Sequence, residues 1–443
     1  MATDLIYPQI EVTNDSGNPI PVVFPGSSYD AFGRQRVSEV FTLGDYKHIY
    51  AIDPNFLNNT GNGGNIVFNA NKAAATLSTT SNTSSYAIHQ TKFYHSYQPG
   101  KSQIIFSSIN FGYAQRNVTK RTGYFDDRDG IFFEQVGSDI SNGTNNGTLN
   151  FVIRSYTGGS ASEADVGSYK RRVPQSSWNV DKCDGTGPSG FNLDISKTQL
   201  VYIDFQWLGV GRVRCGFVHN GKVIIAHEYY HSGVLSEVYI SNPNLPVRCE
   251  IRNTGTTTGG NFDQICSTVM SEGGYAENGI DFDYLMSSSR QIVGGASLPL
   301  ICIKLANTFK GYPNRISVKL GNVSIYSTGE TIAYELVKLP SDSSLSGTLN
   351  WTSVNSESGV LYSVSATGFT VADASPLFAG FISSGSSQNS LSQVSTGAIS
   401  AAKKNIIVQN FDSSSSEVYA LIANNIGNNT AQVRAALQWR EIY

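Results

Sequence analysis

Between residues 100 and 255 the chain alternates apolar and polar side chains in short runs, the period-two pattern of strands with one buried face. The clearest run is LVYIDFQWLGV, where Val201, Ile203, Phe205 and Trp207 fall on one face and Tyr202, Asp204 and Gln206 on the other. QIIFSSINFGY, GIFFEQV, LNFVIRSY, RVRCGFVH, KVIIAHEYYH and VRCEIR are further strand-like runs, with turn residues between them. No stretch carries the 3.6-residue period of a long amphipathic helix. The pattern predicts an all-β sandwich over residues 46–290. Residues 1–45 have no periodicity. Pro8, Pro19, Pro21 and Pro25 break regular structure and Gly17, Gly26 and Gly33 add turns, so an extended arm that packs on a neighbour is expected. From 291 to 443 serine-rich loops such as SDSSLSG and DSSSSE separate strand-like runs including RISVKL, TIAYELVKL, NIIVQNF, EVYALIA and VRAALQW. A second, smaller β-domain is predicted there. Its aromatic-rich end, Trp439 to Tyr443, is expected to be tied into a sheet.

One short motif tests the strand reading. His227-Glu228-Tyr229-Tyr230-His231 spells H-E-x-x-H, the zinc-protease signature, which needs a helix to bring both imidazoles to one metal. Upstream, Asn220-Gly221 signals a two-residue hairpin turn. β-branched and aromatic residues flank it. On a strand, Val223, Ile225, His227, Tyr229 and His231 would share a face, with Glu228 on the other. The two histidines would then stand roughly 13 Å apart, too far for bonds of about 2 Å to one zinc. Glu250 has the spacing of a third ligand but lies in the strand-like PVRCEIR. No metal or cofactor is expected.

Composition narrows the function classes. Only 15% of the 443 residues are charged, and the net charge is −3, which leaves no electrostatic case for nucleic acid. Lys170, Arg171 and Arg172 read as a solvated loop. No apolar run reaches the roughly 20 residues of a membrane span, and the N-terminus does not read as a signal peptide. The five cysteines form no C-x-x-C pair and are expected to be reduced, structural thiols of a protein folded in a cytosol.

Other candidate sites are weak. Asp126-Asp127-Arg128-Asp129-Gly130 fails the calcium-loop pattern, since positions 1 and 12 would be Phe125 and Val136. It reads as a hairpin tip, with an ion at Asp126–Asp129 left open. Glu134 lacks a second carboxylate two residues away, as some sandwich glycosidases require. There is no G-x-S-x-G elbow, and Gly209-Val210-Gly211 reads as a bend. Among aromatic residues able to stack on sugars, Trp178, Tyr229 and Tyr230 are the candidates for glycan contact.

Longer blocks carry a resemblance. YDAFGRQRVS at residues 29–38, followed by FTLGDYKHIY, resembles an N-terminal block in structural proteins of tailed bacteriophages, especially marine and cyanobacterial ones. YQPGKSQIIF, TKRTGYFDDRDGIFFEQ, the run from Ser176 to Gly221, NPNLPVRCEIRN and DQICSTVMSEGGY are similar to the same family. The similarity covers about residues 29–290. It implies a concanavalin-like jelly roll carried in multiple copies on a virion assembled in the host cytoplasm, as tail fibre, neck appendage or capsid-exterior protein. It supplies no catalytic residues. Asp30, Phe32, Arg34 and Arg36 of the arm are the expected assembly contacts with other virion proteins. A homo-oligomer, with a trimer favoured, is the expected state, and host-surface polysaccharide the expected outside partner. The alternatives are a lectin-like glycan-binding module and, more remotely, a zinc or glycoside hydrolase.

Overall fold

The computed structural model describes residues 39–137, 145–274, 278–383, 390–394 and 407–443. Strands dominate, and helix among these residues is limited to single 3-10 turns. In chain order the first fifteen strands are β1 (Val40–Lys47), β2 (Phe56–Gly61), β3 (Asn65–Asn69), β4 (Ala74–Thr79), β5 (Tyr86–Thr91), β6 (Gln103–Asn110), β7 (Val118–Phe125), β8 (Gly130–Val136), β9 (Thr148–Arg154), β10 (Arg172–Pro174), β11 (Gln199–Phe205), β12 (Val213–His219), β13 (Lys222–Tyr229), β14 (Val247–Asn253) and β15 (Gly260–Glu272). They form two antiparallel sheets. One runs β13-β12-β11-β6-β15-β4-β3, and the other β10-β9-β8-β7-β14-β5-β2. The two-sheet sandwich expected from the alternation is therefore present, as is the jelly-roll fold that the resemblance implied.

The alternation explains the packing. Val201, Ile203 and Phe205 of β11 meet Phe133 of β8 and Phe151 of β9 in one core. Edge-on and stacked rings fill it, with Phe133 against Phe217 at 5.2 Å and Phe111 against Phe133 at 5.5 Å. Such ring pairs add stabilisation beyond their buried area. Cys183, Cys215 and Cys249 are buried free thiols in the same core.

Two local features differ from the sequence reading. The arm was expected to run to residue 45, but β1 pairs with β15 from Val40↔Glu272 to Lys47↔Cys266. It shares that edge with β4, which takes the other end of the long β15. Tyr46 is buried there, so the FTLGDY stretch has its own place in the sheet. The second difference is in β13. The hairpin turn is as expected, with Asn220 at φ 49° and Gly221 at φ 73°, the positive pair a type I′ turn requires. However, Gly216 faces Ile225 while Cys215 faces His227, so Ala226 is an extra residue. This bulge reverses the alternation. Ile224 and Ala226 pack on the core side, whereas Ile225 joins Ile104 and Tyr202 on the other face. Val223 and Ile225 therefore do not share a face with Tyr229.

Among the described residues, those beyond 279 build two two-stranded antiparallel sheets and two further large ones. One contains Ile280–Leu285, Ala431–Ile442, Ser317–Thr328 and Ser390–Val394. The other contains Ser297–Leu305, Val418–Asn425, Ile332–Leu339 and Ser375–Ile382, with two short strands at its edge. Their shared core has no residue in common with the first. NIIVQNF does not form a strand in its described part and makes only the isolated bridge Gln409↔Ser416. The C-terminal strand is fixed as its aromatic content suggests. Trp439 is fully buried and its Nε1 donates to Glu441 Oε1 at 2.9 Å. The Glu441 carboxylate also accepts Ser358 Oγ at 2.5 Å and the Gly359 amide at 2.8 Å.

Because the two cores are separate, Trp439→Ala is expected to cost about 3–5 kcal/mol in the C-terminal unit alone. Calorimetry should show one transition moved down and the sandwich transition unmoved. A single transition that shifts as a whole would mean the two cores unfold together.

Candidate functional site

The histidines of HEYYH sit on and just past a strand. The Nδ1–H of His231 donates to the Gly211 carbonyl at 2.5 Å, and the Tyr169 hydroxyl donates to its Nε2 at 2.8 Å. Its ring also stacks on Tyr239 at 4.1 Å. Both nitrogens are used, so no lone pair remains for a metal. His227 Nδ1 accepts the Asn179 amide at 3.3 Å. Glu228 accepts the Tyr230 hydroxyl and pairs with Arg212 at 3.4 Å. Burial pushes the imidazoles of His95, His227 and His231 down to about 4. His95 and His231 have both ring nitrogens hydrogen-bonded, and His227 is held through Nδ1.

The Asp126–Asp129 hairpin tip is likewise committed to its own backbone. Asp126 Oδ1 accepts the amides of Arg128 at 2.8 Å and Asp129 at 3.0 Å. Asp129 accepts the amides of Tyr156 and Ser241 and the Ser241 hydroxyl. These bonds fix the turn between β7 and β8, and they occupy the oxygens a cation would need.

Of the three glycan candidates only Tyr230 reaches the surface, at 54% exposure. Trp178 is a core residue, packed 4.8 Å from Phe151 with its Nε1–H on the Val173 carbonyl. Tyr229 is buried and donates to the Phe151 carbonyl at 2.7 Å. Neither can touch a sugar. Asp30, Phe32, Arg34 and Arg36 lie outside the described residues.

What the single-residue reading missed is an ionic network on the outer face of the second sheet. Alternation sends Arg121, Glu134, Asn150 and Glu250 to the side opposite the core, and strand register sets them side by side. Arg121 forks between two strands, Nε to Glu134 Oε2 at 2.7 Å and Nη1 to Glu250 Oε1 at 2.8 Å. Glu134, fully buried, also takes Asn150 Nδ2 at 3.2 Å and Arg172. Arg248 pairs with Glu250 at 2.9 Å and with Asp127 at 2.8 Å. Glu163 closes the edge by pairing with Arg154 and Arg172. Phe125 and Phe132 lie beneath the guanidiniums, with Arg154 5.2 Å over Phe132 and Arg248 5.4 Å over Phe125. The expected solvated loop at 170–172 is thus corrected. Lys170 is exposed, but Arg171 is buried and Arg172 joins the network. The missed signal was the alternation of charge in VRCEIR, which puts Arg248, Glu250 and Arg252 on one face.

A shallow cleft of about 380 Å³ opens over this face, lined by Arg121, Arg154, Glu163, Glu250 and Arg252 among others. Burial would raise the Glu250 carboxyl, but the opposing pull of Arg248, Arg121, Arg252 and Arg154 holds it well below the usual carboxylate range. A glycosidase acid needs the opposite shift, a carboxyl kept protonated near neutrality. The face supplies fixed charge rather than a proton.

No protein-family model matches the sequence, and no curated protein matches it. Among solved structures, the sandwich is similar to a legume lectin-like domain from Entamoeba histolytica at 9% identity, covering 52% of this chain and 98% of that one with a TM-score of 0.29. It is similar to a glycosyl hydrolase family 16 protein from Mycobacterium smegmatis at 8% identity, covering 52% and 100% with a TM-score of 0.33. A pseudo β-1,3-glucanase of Mycobacterium tuberculosis matches at 10% identity, covering 53% and 99% with a TM-score of 0.35.

Two measurements check the site. Glu250→Gln removes the buried carboxylate shared by Arg121 and Arg248, leaving Arg121 on Glu134 and Arg248 on Asp127, and urea titration should show a loss of about 3–5 kcal/mol. The histidines give an acid dependence. Their folded pKa values lie below the unfolded value, so stability is complete above about pH 6.5 and is lost as pH falls through about 4. Each imidazole ionised in place costs roughly 3 kcal/mol. The melting temperature should drop steeply over that window, and His231→Gln should flatten the slope.

Proposed function

We propose that this protein is a non-catalytic structural component of a tailed-phage particle, and that its sandwich contacts host-surface polysaccharide. The observation that carries the non-catalytic part is the grip of Arg121 on both Glu134 and Glu250. Of the two carboxylates best placed for acid–base work, Glu250 is held as an anion by the arginines around it, and Glu134 is ion-paired to Arg121 and Arg172. The particle assignment is supported by the phage-like blocks over residues 29–290. In this reading the arm, with Asp30, Phe32, Arg34 and Arg36, docks to neighbouring virion proteins. Copies of the chain associate as a homo-oligomer, a trimer being the simplest form for an appendage. A lectin-like role belongs to the same reading, because a jelly roll held outward on a particle is placed to meet glycan.

Gold-labelled antibody on intact particles tests the assignment. Label on the head, neck or tail is the expected result, and protein confined to the lysate of infected cells would sink it. The purified chain should release no reducing ends from neutral polysaccharides. Measurable release would return the outer face of the second sheet to the enzymes.

A further inference from the structure

A second cleft, of about 460 Å³, lies between the sandwich and the C-terminal unit. The sandwich contributes the β7–β8 hairpin tip, Gln90 and Tyr156. The C-terminal unit contributes Tyr312, Arg315 and the turn through Ser413. The two walls are held together by Arg315, whose guanidinium lies 4.8 Å over the Tyr94 ring, and by Lys92 with Glu417 at 3.9 Å.

Two buried polar atoms on these walls have no hydrogen-bond partner. Gln90 is 2% exposed and its Oε1 is unpaired. Ser413 is 4% exposed and its Oγ is unpaired. Leaving such groups buried without a partner is unfavourable, and native folds seldom do so without a reason. Ser413 also holds φ at +59°, a left-handed conformation that costs a serine free energy. The strained residue and the orphan hydroxyl are the same residue, and Gln90 faces the same cleft from the other wall. The volume is that of a small-molecule site.

The remaining lining indicates the chemistry of the occupant. Asp126, Asp127, Asp129 and Asp412 outnumber Arg128 and Arg315 on the lining, so a polyanion is disfavoured there. Tyr312, 64% exposed, offers an open ring, and Tyr156 carries Arg128 at 4.5 Å over its face. We infer that this cleft binds a neutral oligosaccharide segment. Its hydroxyls donate to Gln90 Oε1 and Asp127 and exchange a hydrogen bond with Ser413 Oγ, while a sugar ring lies on Tyr312. The inference rests on the glycan-contact part of the proposal above and assigns that contact to a place where both units contribute.

The test is calorimetric titration of the full chain with neutral hexasaccharides of glucose, xylose, mannose and galactose, and with a polygalacturonate hexamer. At least one neutral hexamer should bind. Tyr312→Ala and Ser413→Gly should each weaken it about tenfold, the scale of one lost contact. Ser413→Gly should not lower the melting temperature, because glycine relaxes the positive φ, so its loss of binding cannot be laid to misfolding. Hydrogen exchange should show the bound hexamer protecting 126–129 and 411–413 together. Binding with both variants unchanged would overturn the cleft and leave glycan contact standing elsewhere. Binding of polygalacturonate alone would overturn the neutral assignment. No binding of any hexamer would overturn the cleft and the glycan contact alike, while particle labelling would still decide the structural role.

Discussion

Arg121 ties three adjacent strands through side chains as well as backbone. Its guanidinium reaches Glu134 on β8 and Glu250 on β14, two carboxylates that are essentially buried. Buried charge is tolerated only when paired and hydrogen-bonded. The pairing also fixes register. A slip by one residue would turn Glu134 into the aromatic core and Phe133 out into the network. The order of the second sheet and the charged character of its outer face therefore depend on one arrangement.

That arrangement has a functional consequence. A carboxylate pair on an outer sheet face is a starting point for glycoside chemistry, but only if one member keeps its proton near neutrality. The surrounding arginines hold the Glu250 carboxyl well below the usual carboxylate range, and Arg121 and Arg172 ion-pair Glu134. The same face gains rigidity, with Phe125 and Phe132 packed under the guanidiniums. The cleft against the C-terminal unit has a different character, lined by residues of both units and by an exposed tyrosine ring.

The histidine motif illustrates how local geometry decides chemistry. In HEYYH the same letters that chelate zinc on a helix become core packing on a strand. Tyr169 and Gly211 consume both nitrogens of His231. The bulge at Ala226 adds a detail that no alternation rule anticipates, because it arises from how β12 and β13 pair.

Period-two alternation and turn chemistry are local, and the sequence alone sufficed for them. LVYIDF, GIFFEQV and VRCEIR are strands, Val201, Ile203 and Phe205 face the core as expected, Asn220-Gly221 is a type I′ hairpin, and Trp439 is tied into a sheet. What depended on distant partners was not legible. Glu250 meets Arg121 from 129 positions away, so the charge alternation in VRCEIR marked a charged face without naming its cross-strand partner. Trp178 and Tyr229 looked like sugar platforms because an aromatic residue on a loop or strand carries no mark of burial. Only the stacking of the two sheets put them inside. The cleft is further still from the linear pattern, since Gln90 and Ser413 belong to different units and meet only when those units dock.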